Sequence, residues 1–302
     1  MDLVHLRTFL AVYRTGSLTA GAAQVGLSQP TATTQVRALE GHLGRPLFER
    51  LPRGVTPTAA GHDLATRIAA PLDALESVVG GPGVGRVAPP EPPVLLGGPA
   101  EQLAAQVLPA LAPLLAEGVR VTVRTGLTDD LLGELRAGTV DLVVATTRPR
   151  GRTVLAEPLV DEEFVLVAAP RVAERVDLDR LRSDGPEALR GLPLVSYAAD
   201  LPILRRYWRH VFQTRLEATP ALVVPDLRAV LAVVVAGAGI SVLPRYLCAR
   251  ELADRAVVTL LEPADPPINT GFLARRVGAP PRPHVDLVRA RLLAAARAWR
   301  AE

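Results

Sequence analysis

The sequence predicts an α/β protein in which a small N-terminal helical unit is followed by a long helix and a larger, two-lobed region. Three observations predict this fold class. The first 57 residues contain three short helical patterns and a hairpin, residues 58–79 carry one apolar stripe, and strand and helix patterns alternate from Val94 onward. At 302 residues, 49% of them hydrophobic, the chain is long enough for two or three globular units.

Positive charge is concentrated at the N-terminus. The net charge is +3, and residues 1–60 contain six arginines and three acidic residues, so the remainder is neutral. This division indicates a polyanion partner at one end of the chain. The single cysteine, Cys248, excludes an internal disulfide, and we find neither a signal peptide nor an apolar run long enough to cross a membrane. We therefore expect a cytoplasmic protein that does not associate with membranes.

Residues 1–57 form a predicted winged helix-turn-helix. Apolar residues recur at helical spacing until Gly16 ends the first helix, and Ser17 and Ser28 are candidate caps of the second and third helices. Pro30 is tolerated in a first helical turn. The segments on either side of residues 51–53 read as a hairpin, which supplies the wing.

Residues 58–91 are predicted to form a linker helix followed by a Gly/Pro hinge. The helix has a length of roughly 33 Å, and a single apolar stripe on such a rod needs a cover, for which a second copy of the same helix is the simplest choice. Pro71 predicts a kink or local break, because an interior proline costs about 3 kcal/mol. The residues predicted for this dimer contact are Leu64, Ile68, Leu72, Leu75 and Val79.

Residues 92–302 are predicted to form two α/β lobes that bind a small ligand at the carboxyl ends of the strands. The first lobe would comprise residues 92–162 and 268–302, and the second would comprise residues 163–267. Extended segments near 161–164 and 265–269 would join them. Predicted helices include residues 101–116, 127–138 and 285–299.

Three segments resemble the family of LysR-type transcriptional regulators. They are "GSLTAGAAQVGLSQPTATTQVRALEGHLGRPLFERLPRGVTPTAAG", "RTGLTDDLLGELRAGTVDLVVAT" and "VVAGAGISVLPRYL". The resemblance implies a periplasmic-binding-protein-like effector domain and a homodimer or homotetramer that binds double-stranded operator DNA. It also implies a small-molecule effector, no cofactor or metal, and contact with RNA polymerase if the protein is an activator. Thr33-Thr34 departs from the family pattern, and so does Gly21, which we expect to weaken the second helix by up to about 1 kcal/mol.

The third helix and the wing carry the candidate DNA-binding residues. A recognition helix places its first turns against base edges in the major groove. Glutamine amides suit adenine, threonine suits phosphates or thymine methyl groups, and arginine suits phosphates or the minor groove. The candidates are Ser28, Gln29, Pro30, Thr31, Thr33, Thr34, Gln35, Arg37, Arg50 and Arg53.

The resemblance places the effector between the two lobes. The residues that it implies are Gly98, Pro99, Ala100, Glu101, Thr128, Thr146, Thr147, Ser196, Tyr197 and Asp226. The charge of the effector stays open. Glu101 and Asp226 favour an amine or several hydroxyls unless they merely cap their helices, whereas Arg148 and Arg150 favour an anion.

Other function classes fit the sequence less well. The five histidines are scattered, and metalloprotease and nucleophile-elbow motifs are missing. The pairs Asp129-Asp130 and Glu162-Glu163 read as ordinary loop or helix-start carboxylates, so we expect no enzyme. A stand-alone solute-binding protein leaves the basic N-terminal unit unexplained, and an architectural DNA binder leaves the two lobes without a use. The sequence leaves open whether the protein activates or represses.

Overall fold

The computed structural model describes residues 2–51, 54–79 and 91–299. Its Cα atoms group into two compact units. The first unit contains Met1–Gly98, Pro113–Glu157 and Phe272–Leu293, and the second contains Pro99–Ala112, Pro158–Gly271 and Ala294–Glu302. The N-terminal helices therefore share a unit with part of the C-terminal region. The predicted Gly/Pro hinge lies mostly outside the described residues.

The N-terminal part of the first unit has the predicted helices and hairpin. They are α1 (Leu3–Thr15), α2 (Leu18–Gln24), α3 (Gln29–Leu43), β1 (Phe48–Leu51) and β2 (Gly54–Pro57). The hydroxyls of Ser17 and Ser28 accept hydrogen bonds from backbone N–H groups and cap α2 and α3. α1 and α3 end at Gly16 and Gly44, which have φ values of 65° and 66°. The predicted caps Ser17 and Ser28 and the predicted end of α1 at Gly16 are confirmed.

Gly21 allows α1 and α2 to pack closely. A Cβ atom at this position would lie 2.6 Å from Cα of Val12 and 2.7 Å from its backbone nitrogen. The structure thus gives the departure at Gly21 a packing reason, and the expected cost to α2 stays a prediction. The unfavourable helix propensity of Gly21 is offset by a helix contact that a larger residue would prevent.

α4 (Ala59–Val79) continues through Pro71, with helical residues on both sides. The predicted break at Pro71 is therefore absent. Pro71 is exposed, as is Arg67, whose carbonyl loses its helical donor. Water can hydrogen-bond that carbonyl in place of the missing N–H group, which lowers the cost of the proline.

Part of the apolar stripe on α4 is buried within the same chain. Leu64 and Leu72 are 8% and 7% exposed and belong to a core with residues of α1 and α3. Ile68 packs against that core, whereas Leu75 is 54% exposed. The side chain of Val79 lies outside the described part. The dimer contact stays a prediction, and Leu75 is the stripe leucine that the chain leaves exposed within the described residues.

A buried ion network joins three elements of the first unit. Arg14 of α1 donates to both carboxylate oxygens of Asp73 on α4, at 3.0 and 2.7 Å. Arg276 forms a second ion pair with the same carboxylate. Asp73 is 1% exposed. The guanidinium of Arg14 lies against Gly138, and a Cβ atom at Gly138 would be 2.5 Å from Nη2 of Arg14. Both arginines therefore depend on one buried carboxylate.

Strands and helices alternate from Val94 onward, as predicted. The elements are β3 (Val94–Gly98), α5 (Ala100–Gln102), a π-helical turn (Leu103–Val107), α6 (Leu108–Ala116), β4 (Val121–Thr125), α7 (Thr128–Ala137), β5 (Leu142–Ala145), β6 (Val154–Ala168), α8 (Pro170–Ala173), α9 (Leu178–Asp184), a 3-10 turn (Gly185–Leu189), β7 (Val195–Ser196), α10 (Pro202–Val211), β8 (Leu222–Val223), α11 (Leu227–Val235), β9 (Ile240–Pro244), α12 (Arg245–Ala253), β10 (Val258–Leu261), β11 (Ile268–Arg276) and α13 (Pro283–Trp299).

Each unit has its own strand pairing. In the first unit β3 pairs in parallel with β4 and β5, and β5 pairs antiparallel with β11. In the second unit β6 pairs antiparallel with β9 and β10. The chain passes from one unit to the other within β6 and within β11. Among the described residues, no helix combines the length and apolarity that a membrane span requires.

Candidate nucleic-acid interface and ligand-binding residues

The start of α3 presents a polar, exposed surface. Ser28, Gln29, Pro30, Thr31, Thr34 and Arg37 are exposed, and Thr33 is half-buried. Ser28 caps the helix through a 3.4 Å hydrogen bond from the backbone N–H of Thr31, and the two hydroxyls lie 2.8 Å apart. Ala32, Val36 and Leu39 are buried on the opposite side and fix α3 to the core. The helix can therefore offer its first turns to a partner without losing its packing.

The threonine hydroxyls of α3 already donate to their own helix. Thr33 donates to the carbonyl of Gln29 at 2.9 Å, and Thr34 donates to the carbonyl of Pro30 at 3.0 Å. The side-chain amide of Gln29 in turn donates to the Thr33 hydroxyl at 2.9 Å. In this state the threonines have acceptor lone pairs and methyl groups left for a partner.

Gln35 makes a contact that the sequence did not reveal. The hydroxyl of Thr8 on α1 donates to Oε1 of Gln35 at 2.6 Å, and Thr8 is 1% exposed. Gln35 is half-buried and ties α3 to α1. Its role in DNA binding stays a prediction, but it also positions the recognition helix.

The wing is fixed to the end of α1. β1 and β2 pair antiparallel, with Leu51 opposite Gly54. A Cβ at Gly54 would lie 2.7 Å from the carbonyl oxygen of Gly16, and the next residue, Val55, donates its N–H to that oxygen at 3.1 Å. Arg50 lies on β1 with its side chain outside the described part, and Arg53 lies outside the described residues.

Two of the predicted effector residues meet in the first unit. The hydroxyls of Thr128 and Thr146 lie 3.0 Å apart, and the backbone N–H of Thr146 donates to Thr128 at 3.1 Å. Thr147 is exposed, and Gly98 is the last residue of β3. This bond joins the start of α7 to the end of β5, where strand ends and a helix N-terminus meet.

The remaining predicted effector residues lie in the second unit. Asp226 caps α11 through the backbone N–H of Arg228 at 2.9 Å and forms an ion pair with the Arg228 side chain at 2.7 Å. Ser196 is buried and donates to the carbonyl of Ala198 at 2.9 Å. Pro99 and Ala100 begin α5 without a side-chain cap. The carboxylate of Asp226 and the hydroxyl of Ser196 are thus engaged within the chain.

Glu101 is in a different position from Asp226. It is partly buried in the first turn of α5, and no side chain caps this helix. Burial raises the pKa of Glu101, and the nearby Asp226 carboxylate raises it further. Burial is the main cause that raises the pKa of Tyr197, and the negative charge of Glu101 raises that pKa further. Glu101, Tyr197 and Asp226 are therefore electrostatic neighbours within the second unit.

Glu162 was not predicted as a site residue. The expectation of a loop or helix-start setting for Glu162-Glu163 is wrong, because both lie inside β6. Glu163 forms an ion pair with Arg245 at 2.7 Å, whereas Glu162 is 5% exposed and accepts a 3.3 Å hydrogen bond from Asn269. Burial raises the pKa of Glu162 to about 7, although the bond from Asn269 opposes this shift. The signal was present as three carboxylates, Asp161, Glu162 and Glu163, next to the apolar strand pattern in "LVDEEFVLVAA".

Gln102 is a second polar group that the sequence did not single out. It is completely buried, and among the described residues neither the oxygen nor the nitrogen of its amide has a hydrogen-bond partner. A buried amide normally finds partners, so an unpaired one calls for a ligand or water. Within the described residues, no group of His, Cys, Asp and Glu side chains has the arrangement of a metal site.

Both the N-terminal and the C-terminal part of the chain match known protein families. Residues 3–62 match the family described as bacterial regulatory helix-turn-helix protein, lysR family, and residues 94–297 match the LysR substrate binding domain. The HTH-type transcriptional regulator AbaB of Streptomyces antibioticus is 49% identical over 306 residues, covering 99% of this chain and 100% of that protein.

Solved structures share the fold. ArgP from Mycobacterium tuberculosis is similar with a TM-score of 0.73 at 21% identity, and 99% of each chain is covered. Full-length LysG from Corynebacterium glutamicum with bound effector Arg is similar with a TM-score of 0.68, again at 21% identity and 99% coverage of each chain. At these identities the similarity concerns the fold.

Proposed function

Because this chain belongs to the LysR family of DNA-binding transcriptional regulators, we propose that α3 reads operator DNA while the β1–β2 wing contacts the adjacent backbone or minor groove. The exposed polar surface at the start of α3 carries this proposal. Its buried face is fixed to the core, and a helix N-terminus favours phosphate. The family and its relatives are regulators rather than enzymes.

We further propose that a small-molecule effector, bound by the C-terminal domain, changes these DNA contacts. Residues 94–297 match the family's substrate binding domain, which supports this step. The proposal includes self-association as a homodimer or homotetramer, a cytoplasmic location and no cofactor. Contact with RNA polymerase is part of it if the protein activates transcription.

The test measures binding of the full-length protein to the intergenic DNA beside its gene, by fluorescence anisotropy at several salt concentrations. Affinity should fall steeply with salt, because counterions are released from the phosphates. Gln29→Ala should weaken binding by about 5- to 100-fold and relax sequence preference. Arg53→Ala should weaken binding and lower the salt dependence.

Arg175→Ala is the matched control, because Arg175 is an exposed arginine of the second unit. It should bind like the wild type, and circular dichroism should show that all three variants are folded. Unchanged affinity in both Gln29→Ala and Arg53→Ala would contradict the assignment of α3 and the wing.

A further inference from the structure

Five polar side chains of the second unit lie close to one another around the β6–β11 pair. Glu162 lies on β6 and Asn269 on β11, and they are hydrogen-bonded at 3.3 Å. Tyr246 and Glu101 act on the pKa of Glu162 from α12 and α5. We call Glu162, Asn269, Tyr246, Glu101 and Gln102 the Glu162 cluster.

Gln102 lies on the same face of the strand pair as Glu162. A Cβ at Gly271 would lie 3.5 Å from Nε2 of Gln102 and 3.6 Å from Cγ1 of Val160. Val160 and Glu162 are two residues apart on β6, so their side chains point to the same face. The absence of a side chain at Gly271 thus leaves space for the unpaired amide beside Asn269.

Two more features give the cluster the character of a binding site. The hydroxyl of Tyr246 is buried next to the carboxyl of Glu162 and lowers the pKa of that carboxyl by hydrogen bonding. The π-helical turn Leu103–Val107 follows Gln102 directly, and such turns occur frequently at functional sites. Gln106 within this turn also has a buried, unpaired Oε1. Buried polar groups without partners are expensive unless something binds them.

The charge of the cluster selects the kind of ligand. Glu101 and Glu162 are carboxylates, and the amide of Gln102 adds an acceptor oxygen. Two arginines lie nearby: Arg228 pairs with Asp226 at 2.7 Å, and Arg206 donates to Asn269 of the cluster at 3.4 Å and to the carbonyl of Ile268. The cluster therefore offers a ligand two carboxylates and an amide oxygen, and Arg206 is the one guanidinium that acts on Glu162 within the described residues.

We propose that the Glu162 cluster binds the protonated amine of the effector, which is therefore a small organic cation. This inference rests on the proposed function and names the class of effector. The ammonium group would donate to Glu162 and Gln102, and Glu101 would supply the second negative charge. The hydroxyl of Tyr246 would complete the set of polar contacts.

The test is calorimetric titration of the full-length protein with putrescine and, separately, with succinate. These probes have the same chain length and opposite charge. Wild type should bind putrescine more tightly than succinate, and Glu162→Gln should weaken putrescine binding about tenfold or more, because a charge-assisted hydrogen bond becomes a neutral one. Glu174→Gln, at an exposed position of the same unit, should bind putrescine like the wild type.

Proton release provides a second readout. Putrescine binding near pH 7 should drive a proton from Glu162, whose neighbours are Glu101, Tyr246, Asn269 and Arg206. The observed heat should therefore depend on the ionisation enthalpy of the buffer in wild type, and this dependence should fall in Glu162→Gln. A variant that merely perturbs packing would keep it.

Three results would overturn the inference: no heat with putrescine, tighter binding of succinate, or equal putrescine affinity in wild type and Glu162→Gln. Operator binding is measured on the same preparations. If wild type binds operator DNA but not putrescine, the effector class is wrong and the proposed function stands. If wild type does not bind operator DNA, the proposed function itself fails.

Discussion

Asp73→Asn should destabilise the protein strongly, because it removes the charge on which two arginines depend. The substitution keeps the shape of the side chain and leaves Arg14 and Arg276 without their carboxylate. The side chains of Asp73 and Arg276 are 1% and 6% exposed, so water cannot replace the lost partner well. Breaking a buried ion pair costs about 3–5 kcal/mol, and we expect a loss in that range.

Asp63→Asn is the matched control on the same helix. Asp63 pairs with Arg67 at 3.6 Å, with side chains that are 56% and 71% exposed. An exposed pair four residues apart on a helix contributes about 0.3–0.5 kcal/mol. The two variants make the same chemical change on α4 and differ in burial.

Urea unfolding, followed by circular dichroism at neutral pH, gives the free energy of unfolding of wild type and both variants. Asp73→Asn should move the midpoint to much lower urea, and Asp63→Asn should leave it almost unchanged. Equal losses in the two variants would refute the reasoning, and so would a loss below about 1 kcal/mol for Asp73→Asn.

Three further perturbations test other parts of the structure. Glu162→Gln should raise the free energy of unfolding above pH 7 by about 3 kcal/mol. In the folded wild type the pKa of Glu162 is about 7 in place of 4.5, so the stability of the wild type falls as the pH rises between those two values. Thermal melts that show the same pH dependence in both proteins would contradict this prediction. Gly21→Ala should cost about 1–3 kcal/mol through contact with Val12, whereas Gly133→Ala in the open middle of α7 should be neutral or stabilising in the same urea assay. Leu75→Arg should weaken self-association on the order of tenfold without unfolding the chain, and an unchanged dissociation constant in analytical ultracentrifugation would exclude this leucine from the contact.

Local signals predicted most of the elements. Helix ends follow from neighbouring residues, so Ser17, Ser28 and Gly16 revealed their roles without any tertiary information. The strand β3 and its parallel partners followed from apolar runs at the expected spacing. Pro71 was the exception, because its cost depends on exposure, which a local pattern does not show.

Contacts between distant residues account for what the sequence did not reveal. Gly21 looked like a weak helix residue until Val12 was seen 2.6 Å from where its Cβ would stand. Leu64 and Leu72 looked available for a second copy, yet they are buried against the chain's own α1 and α3. Glu162 needed the pairing of β6 with β11 to be recognised as a buried carboxyl next to Asn269.

The hydrogen bond between Thr8 and Gln35 affects whether Gln35 donates a hydrogen bond to a DNA base or accepts one from it. Since the Thr8 hydroxyl holds the carbonyl end of this amide toward α1, the NH₂ end is the one left to face a groove. We therefore expect the side chain of Gln35 to act only as a hydrogen-bond donor, to N7, O6 or O4 of a base. A structure of the DNA complex in which Nε2 of Gln35 faces Thr8 and Oε1 faces the base would contradict this expectation. A free glutamine amide can both donate and accept hydrogen bonds, whereas here the contact with the buried Thr8 decides which end of the amide faces the DNA.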